Sequence, residues 1–268
     1  MGNLENLIAA LPEKERRGSR LRCLLFTEGS ATEVAHRLIG LVAPYAFINP
    51  AQHQWMPLGF TDTKEAELGK NPGFLSQEHQ EKVTTWWLLH RRGARTPNWD
   101  IASTADIEGR KGLILVEAKA HESELHTDGK SSFGSGPDNH ARIGKAIEEA
   151  NIALNTLLPG WALSRDACYQ LCNRFAWAWK VASLGVPVIL VYLGSLRATE
   201  MQVYSHPIAD AASWERLVKE HGRGLVPESV WEQQMFVNGT PMRALIRSCD
   251  LALPPLHSPS LDDKSPLA

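Results

Sequence analysis

The strongest constraint on the fold is the aliphatic segment 112–116, Gly-Leu-Ile-Leu-Val, which runs directly into Glu117-Ala118-Lys119. This density of Leu, Ile and Val predicts a strand buried on both faces. An ionised carboxylate at the end of such a strand is costly unless it is paired or binds a cation. Because strand side chains alternate, Glu117 and Lys119 project from the same face, about 7 Å apart. An acid and a base are therefore predicted on the same face of the sheet.

A second acid is predicted to lie beside this strand. The segments 99–107 and 113–119 read as two strands, joined by the charged, turn-forming residues 108–112. They predict an antiparallel hairpin. Asp100 is 17 residues before Glu117, a step that one hairpin spans, so the two carboxylates are expected at the same end. Asp106 is the rival acid, but it lies close to the turn, at the far end from Glu117.

The rest of the chain predicts helices around a mixed sheet. Ser76 is placed to cap a helix over 75–90, and Asp138 or Asn139 to cap one whose apolar stripe is Ile143, Ile147, Ala150, Leu154 and Leu157. A helix over 166–184 precedes a buried strand over 186–193, which predicts a parallel crossover. Further predicted elements are a strand at 21–26 and helices at 31–41, 213–221, 227–237 and 242–249.

The segment 126–140 is rich in Gly, Ser and charged residues and follows the charged strand directly. Its composition predicts a segment without regular structure. Two interpretations stay open, namely a loop that closes over a ligand and an unstructured connector.

Length and charge set outer limits on the class of protein. A chain of 268 residues is predicted to form one α/β domain over residues 1–253, with a disordered tail over 254–268. The net charge of −2 means that a nucleic-acid partner must be met by a local basic patch. No apolar leader or stretch of about 20 apolar residues is present, so we expect no membrane partner and a cytoplasmic protein. The oligomeric state is left open.

Residues 75–193 resemble the core of the PD-(D/E)XK nuclease superfamily, which has the restriction-endonuclease-like fold. The resemblance is carried by Pro97-Asn98-Trp99-Asp100, by Glu117-Ala118-Lys119 and by their order between a helix and a helix–strand crossover. The proline stands three residues before Asp100 instead of directly before it, which departs from the family pattern. The resemblance implies a restriction-endonuclease-like α/β core with a central mixed sheet flanked by helices, and extra helices at both ends.

The same resemblance implies a Mg²⁺-dependent nuclease, with DNA favoured over RNA as the substrate and the choice between the two left open. Asp100, Glu117 and Lys119 would be the catalytic residues. Asp100, Glu117 and the backbone carbonyl of Ala118 would hold Mg²⁺, for which Mn²⁺ can substitute, since magnesium prefers oxygen ligands and keeps several waters. Lys119 would orient the attacking water and stabilise charge on the phosphate.

Two further sets of residues complete the predicted site. The expected nucleic-acid contacts are the basic residues that flank the hairpin, namely Arg91, Arg92, Arg95, Lys130, His140, Arg142 and Lys145. Glu28, Glu78 and Glu81 are the candidates for a third carboxylate in the site. The helix over 166–184 is expected to flank the site with Gln170, Asn173 and Arg174.

Two alternatives to a nuclease stay open. The first is a catalytically inactive interaction protein, in which Asp100, Glu117 and Lys119 form a structural ion-pair cluster. The second is a metal-dependent hydrolase of another phosphoester. A nuclease site leaves both carboxylates open to a cation, whereas a structural cluster pairs them with Lys119.

Overall fold

The central element is a mixed six-stranded sheet with the strand order β1-β4-β5-β6-β8-β7. The computed structural model describes residues 2–91, 94–131, 136–251 and 253. The strands are Trp55–Met56 (β1), Ala66–Glu67 (β2), Asn98–Trp99 (β3), Ile101–Ile107 (β4), Arg110–Lys119 (β5), Val188–Ser195 (β6), Gln234–Val237 (β7) and Thr240–Cys249 (β8). β2 and β3 form a separate two-stranded sheet. The predicted mixed-sheet α/β architecture is confirmed.

The described residues include seven α-helices. They are Gly2–Ala10 (α1), Gly18–Phe26 (α2), Ala31–Val42 (α3), Gln77–Trp87 (α4), Gly136–Leu157 (α5), Tyr169–Ser183 (α6) and Ala211–His221 (α7). α4, α5, α6 and α7 bury their apolar residues with one face of the sheet, and α3 packs on the other face. Both faces of the central strands are therefore buried, as the aliphatic run of β5 predicts.

The predicted hairpin is confirmed. β4 and β5 pair antiparallel, with Ile101 opposite Val116 and Ile107 opposite Arg110. Glu108 and Gly109 between them both have positive φ, at 52° and 74°, which is the backbone of a tight two-residue turn. The turn is shorter than the predicted 108–112 because β5 begins at Arg110.

The predicted parallel crossover is also confirmed. β5 and β6 are parallel neighbours, and α5 and α6 connect them across one face of the sheet. Glu117 lies opposite Tyr192 and Lys119 opposite Gly194 in this pairing. The carboxyl end of β5 consequently lies beside the start of α6, and this arrangement positions the site.

Three predicted elements are wrong. Residues 21–26 belong to α2, where Leu21 and Leu24 pack at a helical spacing of three. Residues 242–249 belong to β8, which pairs along this length with β6 and at its start, residues 240–243, with β7, so tertiary pairing overrides the helix-forming Met, Ala and Leu. Residues 234–237 of the predicted helix 227–237 form β7. The Asn238-Gly239 turn, with positive φ at both residues, is the hairpin signal that identifies this pair.

The predicted start of α5 is wrong too. The helix begins at Gly136, so Asp138 and Asn139 lie within it and do not cap it. The side chain of Asn139 instead satisfies the backbone after α4, accepting from Leu89 N and His90 N and donating to His90 O. Ser76 caps α4 as predicted, accepting from His79 N.

Part of the polar segment 126–140 is held in place. Lys130 N donates to Arg165 O, and the N–H groups of Cys168 and Tyr169 donate to Thr127 O and Asp128 O. Residues 126–130 therefore run alongside the entry to α6. The predicted tail 254–268 lies outside the described residues. In the ranges that are described, none of the helices has the length and apolar character needed to cross a membrane.

Candidate active site

The site forms where β5 extends past the end of its pairing with β4. Asp100 is the single residue between β3 and β4. Its Oδ2 accepts a hydrogen bond from the N–H of Ala118 at 2.7 Å. The N–H and C=O of one strand residue point to the same side, so the carbonyl of Ala118 also faces the side on which Asp100 lies. The hairpin thus brings a carboxylate and a backbone carbonyl together at the end of β5.

Glu117 is fully buried and bonded by two cations. Its Oε1 accepts from Nζ of Lys119 at 2.6 Å, and its Oε2 accepts from Nε of Arg174 at 2.5 Å. Burial by itself raises the pKa of Glu117, but Arg174 and Lys119 outweigh that effect and hold the pKa below its ordinary value. Glu117 is therefore ionised, and its charge is compensated inside the protein.

Lys119 is buried, and its ammonium group is oriented by two hydrogen-bond acceptors. Besides Glu117, its Nζ donates to Oε1 of Gln170 at 3.0 Å, which joins the end of β5 to the first turn of α6. Burial lowers the pKa of Lys119, but Glu117 and Asp100 outweigh that effect, so the pKa is raised. The ammonium has three N–H donors, and these two bonds use two of them.

Arg174 completes the buried charge cluster. Its guanidinium lies over the ring of Trp99, with Cζ 4.5 Å from the ring centroid, and its Nη1 donates to Oδ1 of Asn173 at 3.2 Å. Trp99 is fully buried next to Asp100, so a cation–π contact and two hydrogen bonds fix the plane of the guanidinium.

Asp100 differs from Glu117 in its balance of charge. Its pKa is raised to about 7, first by burial and then by the nearby charge of Glu117, and Lys119 and Arg174 only partly offset this. Its side chain is half-buried. Of the described residues, none donates a hydrogen bond to Oδ1 of Asp100. Lys119 and Arg174 therefore compensate the charge of Asp100 less fully than they compensate the charge of Glu117.

A two-lobed cleft opens over Asp100. The α6 lobe has a volume of about 890 Å³ and is lined by Trp87, Pro97, Lys130, Tyr169, Asn173 and Arg174, among others. The N-terminal lobe, of about 660 Å³, is lined by Lys14, Arg20, Lys64, Lys70, Ala118 and Lys119, among others. The residues common to both lobes are Glu65, Arg95, Asn98, Asp100, His126 and Gln170. Asp100 therefore lies where the lobes meet.

Only part of the predicted nucleic-acid contact set lines this cleft. Arg95 and Lys130 do. Four others line neither lobe, namely Arg91, His140, Arg142 and Lys145. Arg91 is exposed and paired with Glu81, and Lys145 is exposed on α5. Arg142 donates to Thr85 O at the end of α4, and the ring of His140 is hydrogen-bonded to Lys130 O. Arg92 lies outside the described residues.

The three candidates for a third site carboxylate lie away from the cleft. Glu28 accepts from Phe60 N, while Glu78 pairs with Lys82 and Glu81 with Arg91 on the exposed side of α4. Besides Asp100, the acids that do line the cleft are Glu15, Glu65, Glu67, Glu124 and Asp128. Sequence reasoning missed Glu65 because it belongs to an irregular stretch with no periodic pattern, and only tertiary folding places it beside Asn98, whose Nδ2 donates to Oε2 of Glu65.

The donor set partly fits a hard divalent cation. Asp100 and the carbonyl of Ala118 are oxygen donors of the kind that Mg²⁺ selects, and Mg²⁺ keeps several waters when few protein ligands are present. Glu117 is shielded from solvent and each of its oxygens is bonded by a cation, so it joins them only if Lys119 or Arg174 moves aside. Across the part of the chain that the structure describes, three or more His, Cys, Asp or Glu side chains do not group into a metal site.

Comparison with protein-family models, with curated proteins and with solved structures gives no match to this chain. The functional argument therefore depends on the residues of the cleft themselves.

Proposed function

We propose that this protein is a Mg²⁺-dependent nuclease with a restriction-endonuclease-like core, hydrolysing phosphodiester bonds in DNA. The observation that carries the proposal is the position of Asp100, a carboxylate with a raised pKa and an unbonded oxygen at the junction of two open lobes, next to Glu117 and Lys119. The order α4, β4–β5 hairpin, α5–α6 and parallel β6 supports the core assignment.

Each residue has a distinct role in this proposal. Asp100 and the Ala118 carbonyl would hold Mg²⁺, together with Glu117 if Lys119 or Arg174 moves aside, and Mn²⁺ could substitute. The metal would supply positive charge that stabilises the phosphate oxygens as negative charge develops there. The third N–H of Lys119 orients a water or donates to a phosphate oxygen, because Glu117 and Gln170 already fix the other two. The basic residues Lys14, Lys64, Lys70, Arg95 and Lys130 line the path for the phosphate backbone.

A second candidate function is an inactive interaction protein of the same fold. It is favoured by the ion pairs of Glu117, since both carboxylate oxygens are bonded by cations and the side chain is shielded from solvent. In that case the cluster joins β5 to α6 and has only a structural role. The two candidates differ in whether Asp100 binds a divalent cation.

The deciding experiment is titration calorimetry with Mn²⁺ and Mg²⁺ on the wild type, Asp100→Asn and Glu117→Gln, followed by cleavage assays on plasmid, single-stranded and branched DNA. A nuclease binds the ion, loses it in both variants with the fold intact by circular dichroism, and cleaves at least one DNA. Asp106→Asn is the matched control, because Asp106 lies at the turn end of the same hairpin. If the wild type neither binds Mn²⁺ or Mg²⁺ with DNA present nor cleaves DNA, the result supports the second candidate, the inactive interaction protein.

A further inference from the structure

One face of α6 presents hydrogen-bond donors to the cleft. Gln170 and Arg174 are four residues apart, so they lie on the same side of the helix, and both line the α6 lobe. Asp100 lies on the lining of the same lobe. The donors of α6 and the carboxylate of the hairpin therefore bound one space.

The amide of Gln170 has a defined orientation. The ammonium of Lys119 can only donate, so the group that it contacts at 3.0 Å must be the amide oxygen. The NH₂ group of Gln170 therefore points away from Lys119. Among the described residues, it forms no hydrogen bond with any acceptor.

The guanidinium of Arg174 is also held in a fixed orientation. Nε is bonded to Glu117, Nη1 to Asn173, and the flat face lies on Trp99. Nη2 is the remaining nitrogen, and within the described ranges it has no hydrogen-bond acceptor. The rigid guanidinium thus keeps two N–H donors for a ligand without any loss of its bond to Glu117.

We propose that Gln170 and Arg174 form an anion site on the lining of the α6 lobe, which binds one phosphate group of the substrate. Oriented donors with a fixed positive charge match the acceptor oxygens of a phosphate, which has no donor of its own when ionised. The inference deepens the proposed nuclease function and rests on it for the identity of the phosphate as that of a nucleic acid. It assigns the metal to the hairpin side and phosphate recognition to α6.

The test measures binding without metal, so that it does not depend on catalysis. Anisotropy of a short fluorescein-labelled oligothymidylate is recorded in EDTA with the wild type, Gln170→Glu and Gln170→Met. Gln170→Glu keeps an oxygen acceptor for Lys119 and replaces the NH₂ donor by a negatively charged oxygen, while Gln170→Met removes the donor without adding charge. Gln52→Glu adds the same charge at an exposed position that lines neither lobe.

We expect Gln170→Glu to weaken binding about tenfold or more, which is the effect of losing one hydrogen bond to a charged group, and Gln170→Met to weaken it severalfold. Gln52→Glu should bind like the wild type. Competition by inorganic phosphate, and none by acetate at equal concentration, identifies the bound group as phosphate. Binding that is tighter for the oligonucleotide than for phosphate identifies a polynucleotide, and the reverse identifies a small phosphoester.

The site is overturned if the wild type binds neither probe, if both Gln170 variants bind like the wild type with unchanged circular dichroism, or if acetate competes as well as phosphate. These results are separable from a failure of the nuclease proposal. A protein that shows Gln170-dependent phosphate binding but no cleavage with Mg²⁺ or Mn²⁺ retains the anion site and loses the catalytic function. If the protein cleaves DNA, but both Gln170 variants bind the oligonucleotide with unchanged affinity, the catalytic function is retained and the anion site is lost.

Discussion

Oε2 of Glu117, at the end of β5, accepts a hydrogen bond from Nε of Arg174, two turns into α6, in a position that solvent does not reach. This bond joins the strand that carries the acid to the helix that carries the donors. It also explains how a buried carboxylate stays ionised, because desolvation is compensated by two cations. The stability of the protein and the chemistry of the cleft are therefore linked through one side chain.

Replacing Arg174 by Met should destabilise the protein by about 3–5 kcal/mol, because it leaves Glu117 buried with one partner lost. Urea denaturation of the wild type and the variant measures this difference. Arg91→Met is the matched control, since Arg91 and Glu81 form an exposed ion pair, and it should change stability little. Equal effects of the two substitutions would show that the buried bond has no special role.

Asp100 should make the protein less stable as the pH rises. Its folded pKa of about 7 is above the unfolded value, so the native state binds more protons than the unfolded state between about pH 4 and pH 7. The free energy of unfolding should fall across that window, by up to about 4 kcal/mol in total. Asp100→Asn should remove this component, so its unfolding free energy should vary less with pH. Parallel pH profiles for both proteins would refute the raised pKa.

Lys119→Met should lower the rate of DNA cleavage about 100-fold or more while leaving Mn²⁺ affinity within a few fold, since Lys119 acts on the water or phosphate and is not a ligand. Cleavage rate and calorimetric affinity are measured on the same preparation. Lys219→Met, on α7 and away from both lobes, should cleave like the wild type. Loss of metal binding in Lys119→Met would instead indicate collapse of the site.

Gly194→Ala should destabilise the protein by about 1–3 kcal/mol, the usual cost of overpacking. Gly194 lies opposite Lys119 on β6, and an added Cβ would come within 2.6 Å of the ring of the fully buried Trp214. Gly40→Ala is the control, because nothing lies within 4 Å of that position in α3, and it should stabilise by about 0.5–1 kcal/mol. Thermal unfolding distinguishes the two. Tolerance of Gly194→Ala would show that Trp214 can move aside.

The hairpin and crossover could be predicted from local pattern alone. Each of their elements has a recognisable periodicity or composition within its own short segment. These elements are the aliphatic run of β5, the turn at Glu108-Gly109 and the strand after α6. For the same reason Asp100, Glu117 and Lys119 could be placed together before any coordinates were known. For β8 the local signal is confined to the Asn238-Gly239 turn, because residues 242–249 favour a helix in isolation and become a strand through pairing with β6.

The sequence by itself therefore determined the sheet core and the acid–base cluster at the end of β5, since both follow from side-chain alternation within one hairpin. Only the tertiary structure decided which charges compensate one another. Glu117 is bonded to Arg174, 57 residues away, whereas Oδ1 of Asp100 accepts no hydrogen bond from the described residues, and Asp100 lines a cleft that residues of the segments 14–20 and 64–71 complete. Those partners are distant in sequence, and their contacts depend on how α6 and these two segments pack on the sheet, which no local pattern encodes.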